Sequence, residues 1–122
     1  ETAEGREKAE EIITTPGLDG IYIGPADLAL SMGLPAMGDQ PQPEHLEEVK
    51  RLIALCKKHR VAVGIHTGGI EYTQKYLELG CNFIAMGSDS GHMMKAAAKE
   101  LAEARGTQEK QRESTGYRNA AL

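Results

Sequence analysis

"GLDGIYIGPADLALSMG", residues 17–33, holds a charge-free run from Gly20 to Gly24 that stops at Pro25 and an acid, Asp27, before a helical pattern resumes. A short uncharged run of this kind reads as a strand covered on both faces in a parallel sheet. Gly24 suits a helix cap and Pro25 a first helical turn. The unit is therefore a buried strand that delivers a carboxylate to its own C-terminal end.

The same grammar recurs along the chain. Residues 3–14, "AEGREKAEEIIT", have helix-forming composition and are stopped by Pro16-Gly17. Beyond Gly33, "LPAMGDQPQP" is a proline-rich loop leading into a helix from about Glu44 to His59, whose Leu46, Val49, Leu52, Ile53 and Cys56 form one apolar stripe. "VAVGI" is a second strand, followed by "HTGG" and a helix from Ile70 to Leu79 that Gly80 closes. "NFIAMG" is a third strand, "SDSG" its loop, and "HMMKAAAKELAEAR" a last helix with Met94, Ala97, Ala98 and Leu101 as its inner face. After Gly106 the polar, aperiodic remainder reads as a tail or arm needing a partner to become ordered. Residues 1–106 and 107–122 are thus expected to differ in organisation.

Alternating buried strands and helices imply parallel βαβ units with right-handed crossovers. No G-x-G-x-x-G follows any strand, which argues against a dinucleotide-binding fold. A (β/α)8 barrel places its polar chemistry at the C-terminal strand ends, where "GPAD", "HTGG" and "GSDSG" all fall. The fold class expected is α/β: the C-terminal part of a TIM barrel, about three βα units with a preceding helix. A barrel typically needs about 250 residues, so 122 is roughly half of one. The start at Glu1, without a Met or a preceding strand, leads to the expectation that the front half lies upstream.

Composition narrows the partners. A net charge of −4, no Trp and a single Phe leave neither a basic stripe nor stacking residues for nucleic acid. No apolar run approaches the length of a membrane span, so a soluble, cytoplasmic protein is expected. Cys56 and Cys81 lack any C-x-x-C or ligand spacing and read as reduced thiols, Cys56 as part of the core.

On backbone physics alone, a helix opening at Gly24-Pro25 leaves the amides of Ala26 and Asp27 unpaired at a positive helix end, a place suited to a carboxylate. Asp27 itself has two readings: an acid that satisfies the first turn, or a group that faces a metal or ligand.

The stretch resembles the signature of the HpcH/HpaI aldolase family, in which "D-G-[VI]-[FY]-[IV]-G-P-A-D-L-S" is followed by a small residue, an apolar one and glycine. "VAVGIHTGG", "YLELGCNFIAMGSDSG" and the Met/Ala-rich helix resemble the family's seventh and eighth βα units. The resemblance implies a class II aldolase on a (β/α)8 barrel, using a divalent metal (Mg2+, Mn2+ or Co2+) and acting on pyruvate. It pairs the motif's Asp with a Glu that precedes Ser or Thr one helix upstream. "ET" at positions 1 and 2 then makes Glu1 and Asp27 the two carboxylate ligands. Two such carboxylates can hold a hard cation while leaving positions for substrate oxygens.

The expected reaction is cleavage of a 4-hydroxy-2-oxo acid to pyruvate and an aldehyde, with Gly24, Pro25, Ala26 and Asp27 around the carboxylate. The family's His and Arg, which handle the proton and the substrate oxygens, have no counterpart here. They are expected upstream of Glu1, and Arg6, Arg51, Arg60 and Arg105 are not promoted in their place. His66, where better-known members carry an aliphatic residue, either contacts the acceptor aldehyde, with Thr67 beside it, or is held at the barrel rim. Ser88 or Asp89 is expected to cap the last helix, and Ser88 is also a candidate for the pocket wall. His45, His59 and His92 read as solvated, and Met93 and Met94 as packing residues. The alternatives are an enzyme of citrate lyase or malyl-CoA lyase type, or a catalytically silent half-barrel that needs self-association or a complementary partner. The resemblance also suggests a homo-oligomer.

Overall fold

A computed structural model describes residues 2–114, with side chains described for residues 2–106. Residues up to Gly87 form one compact unit, and a second begins at Ser88.

The first unit opens with two short helices, α1 (Ala3–Glu7) and α2 (Ala9–Ile13), where the sequence reads as one. The break is a single residue, Lys8, whose φ of −93° and ψ of 16° leave the helical basin while its amide still reaches the Glu4 carbonyl at 2.9 Å. Thr2 caps α1 by accepting from the Gly5 amide at 3.0 Å. The strand β1 (Gly20–Ile23) follows, then α3 (Pro25–Ser31), α4 (Pro43–His59), β2 (Ala62–Thr67), α5 (Ile70–Leu79) and β3 (Phe83–Met86). Both α3 and α4 begin on a proline, whose missing N–H costs nothing in a first turn.

The strands are parallel and ordered β1-β2-β3, with Ile23 opposite Ile65 and Ile65 opposite Ile84. One face of the sheet packs on the helices. Ile23, Val63 and Ile65 meet Leu28, Val49, Leu52, Ile53, Cys56 and Tyr76 there, in a core that also takes in Ile13 and Cys81. Both thiols are free, and burial pushes each up, that of Cys81 to about 11.

The opposite face is open, contrary to the two-sided cover expected from the strand composition. Tyr22 is 45% and Phe83 63% exposed, their ring centroids 5.9 Å apart across Gly64. This is the side that faces inward in a barrel, and uncharged strands suit that interior as well as they suit the helix side. Gly64 is required here: a Cβ would stand 2.8 Å from Tyr22 Cδ2 and 3.0 Å from the Phe83 carbonyl oxygen.

The second unit consists of α6 (Asp89–Ser114), in which helical backbone continues past Gly106, where a tail was expected to begin. The stripe assigned to its inner face is not buried: Met94 is 69% and Leu101 56% exposed, and Met93 is exposed beside them. Among the described residues of its own unit, this helix meets nothing that covers the stripe. No helix among the described residues is long and apolar enough to cross a membrane.

Candidate active site

Gly24 and His66 fall at the C-terminal ends of the neighbouring strands β1 and β2. Gly24, extended at φ −87° and ψ 100°, is the N-cap of α3, Pro25 its first residue and Asp27 its third. Leu28 donates to the Gly24 carbonyl at 2.9 Å, which leaves the amides of Ala26 and Asp27 without partners inside the helix. Asp27 is exposed. Among the described residues no hydrogen bond or ion pair engages its carboxylate. It shares a shallow depression with Thr2, Ala3, Leu30 and Ser31.

Thr2 is the residue next to Glu1, so the chain's N-terminal end runs beside Asp27; Glu1 lies outside the described residues. Among the described residues no three His, Cys, Asp or Glu side chains converge on one point. Among the described residues, what stands there for a metal is one hard oxygen donor, the Asp27 carboxylate, without a protein partner and bordered by unpaired amides. That donor chemistry fits a divalent cation of the Mg2+ or Mn2+ type.

His66 lies on β2, opposite Ala85 of β3 and one residue beyond the Ile23–Ile65 pair, at the level of Gly24. It alternates with Ile65 and Thr67, which are buried on the helix side, so its half-buried ring belongs to the open, barrel-interior face. Thr67 does not join it. That side chain is buried and lies 2.6 Å from the Thr73 hydroxyl, which itself donates to the Gly69 carbonyl at 2.8 Å. Thr67 is therefore a packing residue. Ser88 accepts from the Gly91 amide at 3.1 Å, capping α6 as expected, and belongs to the second unit.

One residue that the sequence reading placed in solvent and one that it passed over shape the site. His45, expected in solvent, is wholly buried in the first turn of α4, and its Nε2 lies 3.0 Å from the Pro25 carbonyl oxygen. Burial holds its pKa below the ordinary imidazole value despite that bond. Asp39, in the proline-rich loop, accepts from the Gly68 amide at 2.8 Å and so secures the "HTGG" turn. Of the other histidines, His59 meets Glu10 at 2.8 Å on the surface and His92 is exposed.

Arg6 and Arg51 are structural. Arg6 reaches the Ser31 carbonyl at 3.3 Å and Glu48 at 3.4 Å, while Arg51 binds Glu48 at 2.7 Å and the Arg6 carbonyl at 2.9 Å. Together they tie α1 and the end of α3 to α4. A crevice of about 140 Å³ between α1–α2 and β1 is lined by Ile12, Ile13, Ile23 and Leu52, among others, and offers no metal-binding group.

The sequence model of the HpcH/HpaI aldolase/citrate lyase family matches residues 1–96. The chain belongs to this family. Among HpcH/HpaI relatives, it is 36% identical over 104 residues to a 5-keto-4-deoxy-D-glucarate aldolase of Klebsiella pneumoniae, a match covering 85% of the chain and 40% of that protein. It is 32% identical over 105 residues to a hydroxypyruvate/pyruvate aldolase of Paraburkholderia phytofirmans, covering 86% and 40%. The crystal structure of an HpcH/HpaI aldolase/citrate lyase family protein from Burkholderia cenocepacia superposes with a TM-score of 0.78 at 36% identity, over 86% of the chain and 40% of that structure. The chain thus spans about two fifths of the length of these HpcH/HpaI proteins, and its three parallel strands are part of a TIM barrel.

Proposed function

We propose that the chain carries the metal- and carboxylate-binding part of a divalent-metal-dependent aldolase that cleaves a 4-hydroxy-2-oxo acid to pyruvate and an aldehyde. The observation that carries this reading is the Asp27 carboxylate: exposed, unengaged among the described residues, and beside Thr2, the neighbour of Glu1. Glu1 and Asp27 would hold the ion. When bound, it acts as a Lewis acid that polarises the ketone of a 2-oxo acid.

The chain's own residues bind and orient. The amides of Ala26 and Asp27 donate to the substrate carboxylate, and Gly24 and Pro25 set the turn that aims them. His66, on the barrel-interior face at the level of Gly24, meets the aldehyde portion. The aldolase names of the two relatives favour this chemistry over an acyl-CoA reaction of citrate lyase or malyl-CoA lyase type.

Titration calorimetry of the full-length protein with Mn2+, with and without pyruvate, tests the reading. Pyruvate binding that needs Mn2+ and disappears in Asp27→Ala is expected. Binding that ignores the metal or survives the substitution overturns it, and an acyl-CoA product moves the assignment to the lyase alternative.

The open Tyr22–Phe83 face supports a second reading for the 122 residues taken alone, as a silent half-barrel that associates to cover that face. Light scattering after size exclusion decides it, because a stable active monomer contradicts self-association.

A further inference from the structure

The contact that the aldolase reading leaves unused is the one between the first turns of α3 and α4. His45 is the third residue of α4, comes 20 residues after Pro25, and is 0% exposed. The Pro25 carbonyl can only accept, so at 3.0 Å the proton of this bond belongs to His45 Nε2. The Pro25 carbonyl oxygen already serves the helix ladder as the acceptor at the first position of α3, and the imidazole takes its second lone pair. The bond falls two residues before Asp27, in the same helical turn. A ring locked by burial thus fixes the turn that carries the Asp27 carboxylate and the amides of Ala26 and Asp27.

The site of burial makes a merely apolar role a poor account of this residue. His45 Nδ1 is buried with no partner among the described residues, so the ring is kept at the cost of one unsatisfied nitrogen. A leucine or valine would fill the same space without that cost. What only the imidazole supplies is a donor at the reach of Nε2.

We propose that His45 is a positioning residue of the metal site, acting through the Pro25 carbonyl to hold the first turn of α3 in the orientation that presents Asp27. The proposal rests on the assignment of Asp27 as a metal ligand. Groups that orient metal ligands without touching the metal change its affinity by about 10- to 100-fold when removed, and an effect near the lower end is expected for a residue acting through the backbone.

The test uses the full-length protein, with Mn2+ affinity read by electron paramagnetic resonance of the free ion. Two amides separate positioning from packing: the side-chain nitrogen of Gln falls near the imidazole Nε2, whereas that of Asn falls near Nδ1. His45→Gln is expected to bind Mn2+ within about threefold of wild type, and His45→Asn and His45→Leu about tenfold more weakly, all with native circular dichroism. Asn and Leu variants that bind as well as wild type overturn the proposal, and so does a Gln variant as weak as Asn. A wild-type protein that binds no Mn2+, or an Asp27→Asn variant that binds it unchanged, overturns the metal assignment itself. Should the Asn and Leu variants not fold, the imidazole Nε2–H resonance of His45 in the wild-type protein decides. It is expected to shift on saturation with Mg2+, and a resonance that stays in place overturns the coupling.

Discussion

Asp39 and Gly68, 29 residues apart, are joined by a 2.8 Å hydrogen bond that fastens the α3–α4 loop to the β2–α5 turn. The β2–α5 turn lies at the C-terminal end of β2, and His66 stands two residues before Gly68. The bond is the one that a charged acceptor makes to a backbone amide, a class worth about 1.5–3 kcal/mol when desolvated and less at a half-exposed position such as this. Asp39→Ala is expected to cost about 1 kcal/mol in urea unfolding and to speed hydrogen exchange at the Gly68 amide. Gly68→Ala acts on the same contact from the other side, because its Cβ would meet Asp39 Oδ2 at 2.9 Å. Unchanged exchange at Gly68 in Asp39→Ala would show that the loop is held by something else.

Gly64 makes a sharper steric prediction. Its missing side chain lets Tyr22 and Phe83 close over β2, and an added methyl would press on a ring atom and on the Phe83 backbone. Gly64→Ala is expected to destabilise by about 1–3 kcal/mol, the range of overpacked cores. Phe83→Ala in the same background should recover only part of the loss, since the carbonyl contact persists. Full recovery in the double mutant would mean that the Phe83 ring, 3.0 Å from the added methyl, alone sets the limit.

The two threonines of the β2–α5 turn should not respond equally. Thr73 spends its proton on the Gly69 carbonyl, so Thr67 must donate to Thr73. Thr73→Val leaves the buried Thr67 hydroxyl without an acceptor at 2.6 Å and is expected to cost about 1–3 kcal/mol. Thr67→Val leaves Thr73 its carbonyl and should cost about 1 kcal/mol. Thermal unfolding with both variants checks the order.

Two groups give the acid side of the stability curve different stretches. His45, held below the ordinary value of 6.5 first by burial, binds protons more readily unfolded than folded. Stability from this group is present above 6.5 and is lost as the pH falls from there toward its folded pKa. His45→Gln should flatten that stretch. Glu48 is lowered from 4.5 first by its hydrogen bond to Arg51, so its contribution is present above 4.5 and lost as the pH falls through its lower folded value. Glu48→Gln should remove the part of the dependence below 4.5 that belongs to this group and leave the histidine stretch intact. Urea midpoints measured from pH 7 to pH 3 separate the two.

The strands and the helix starts were legible because their signals are local. Gly24-Pro25 opens a helix by its own chemistry, and Gly80 closes one at φ 107°. His45 was not legible: it sits among Glu44, Leu46 and Glu47, and its burial comes from a carbonyl 20 residues away. Asp39 was hidden for the same reason, in a loop whose prolines announce only that no helix runs there. Tyr22 and Phe83 misled in another way. An uncharged strand reads alike whether its second face meets helices or a barrel interior, and only the assembled sheet separates the two. The Met94 stripe shows the limit of periodicity, which finds an apolar face without naming what covers it.

The sheet's order, β1-β2-β3, is also the order of the chain, and that has a kinetic consequence. Pairing Gly64 with Phe83 closes a loop about half as long as pairing Gly20 with Ala62, a difference of about 0.6 kcal/mol in closure entropy. The β2–α5–β3 crossover unit therefore has the cheaper first encounter, and β1 joins an edge that already exists. During synthesis β1 emerges before β2, and the α3–α4 segment between them is the tether that sets how soon those two strands can pair.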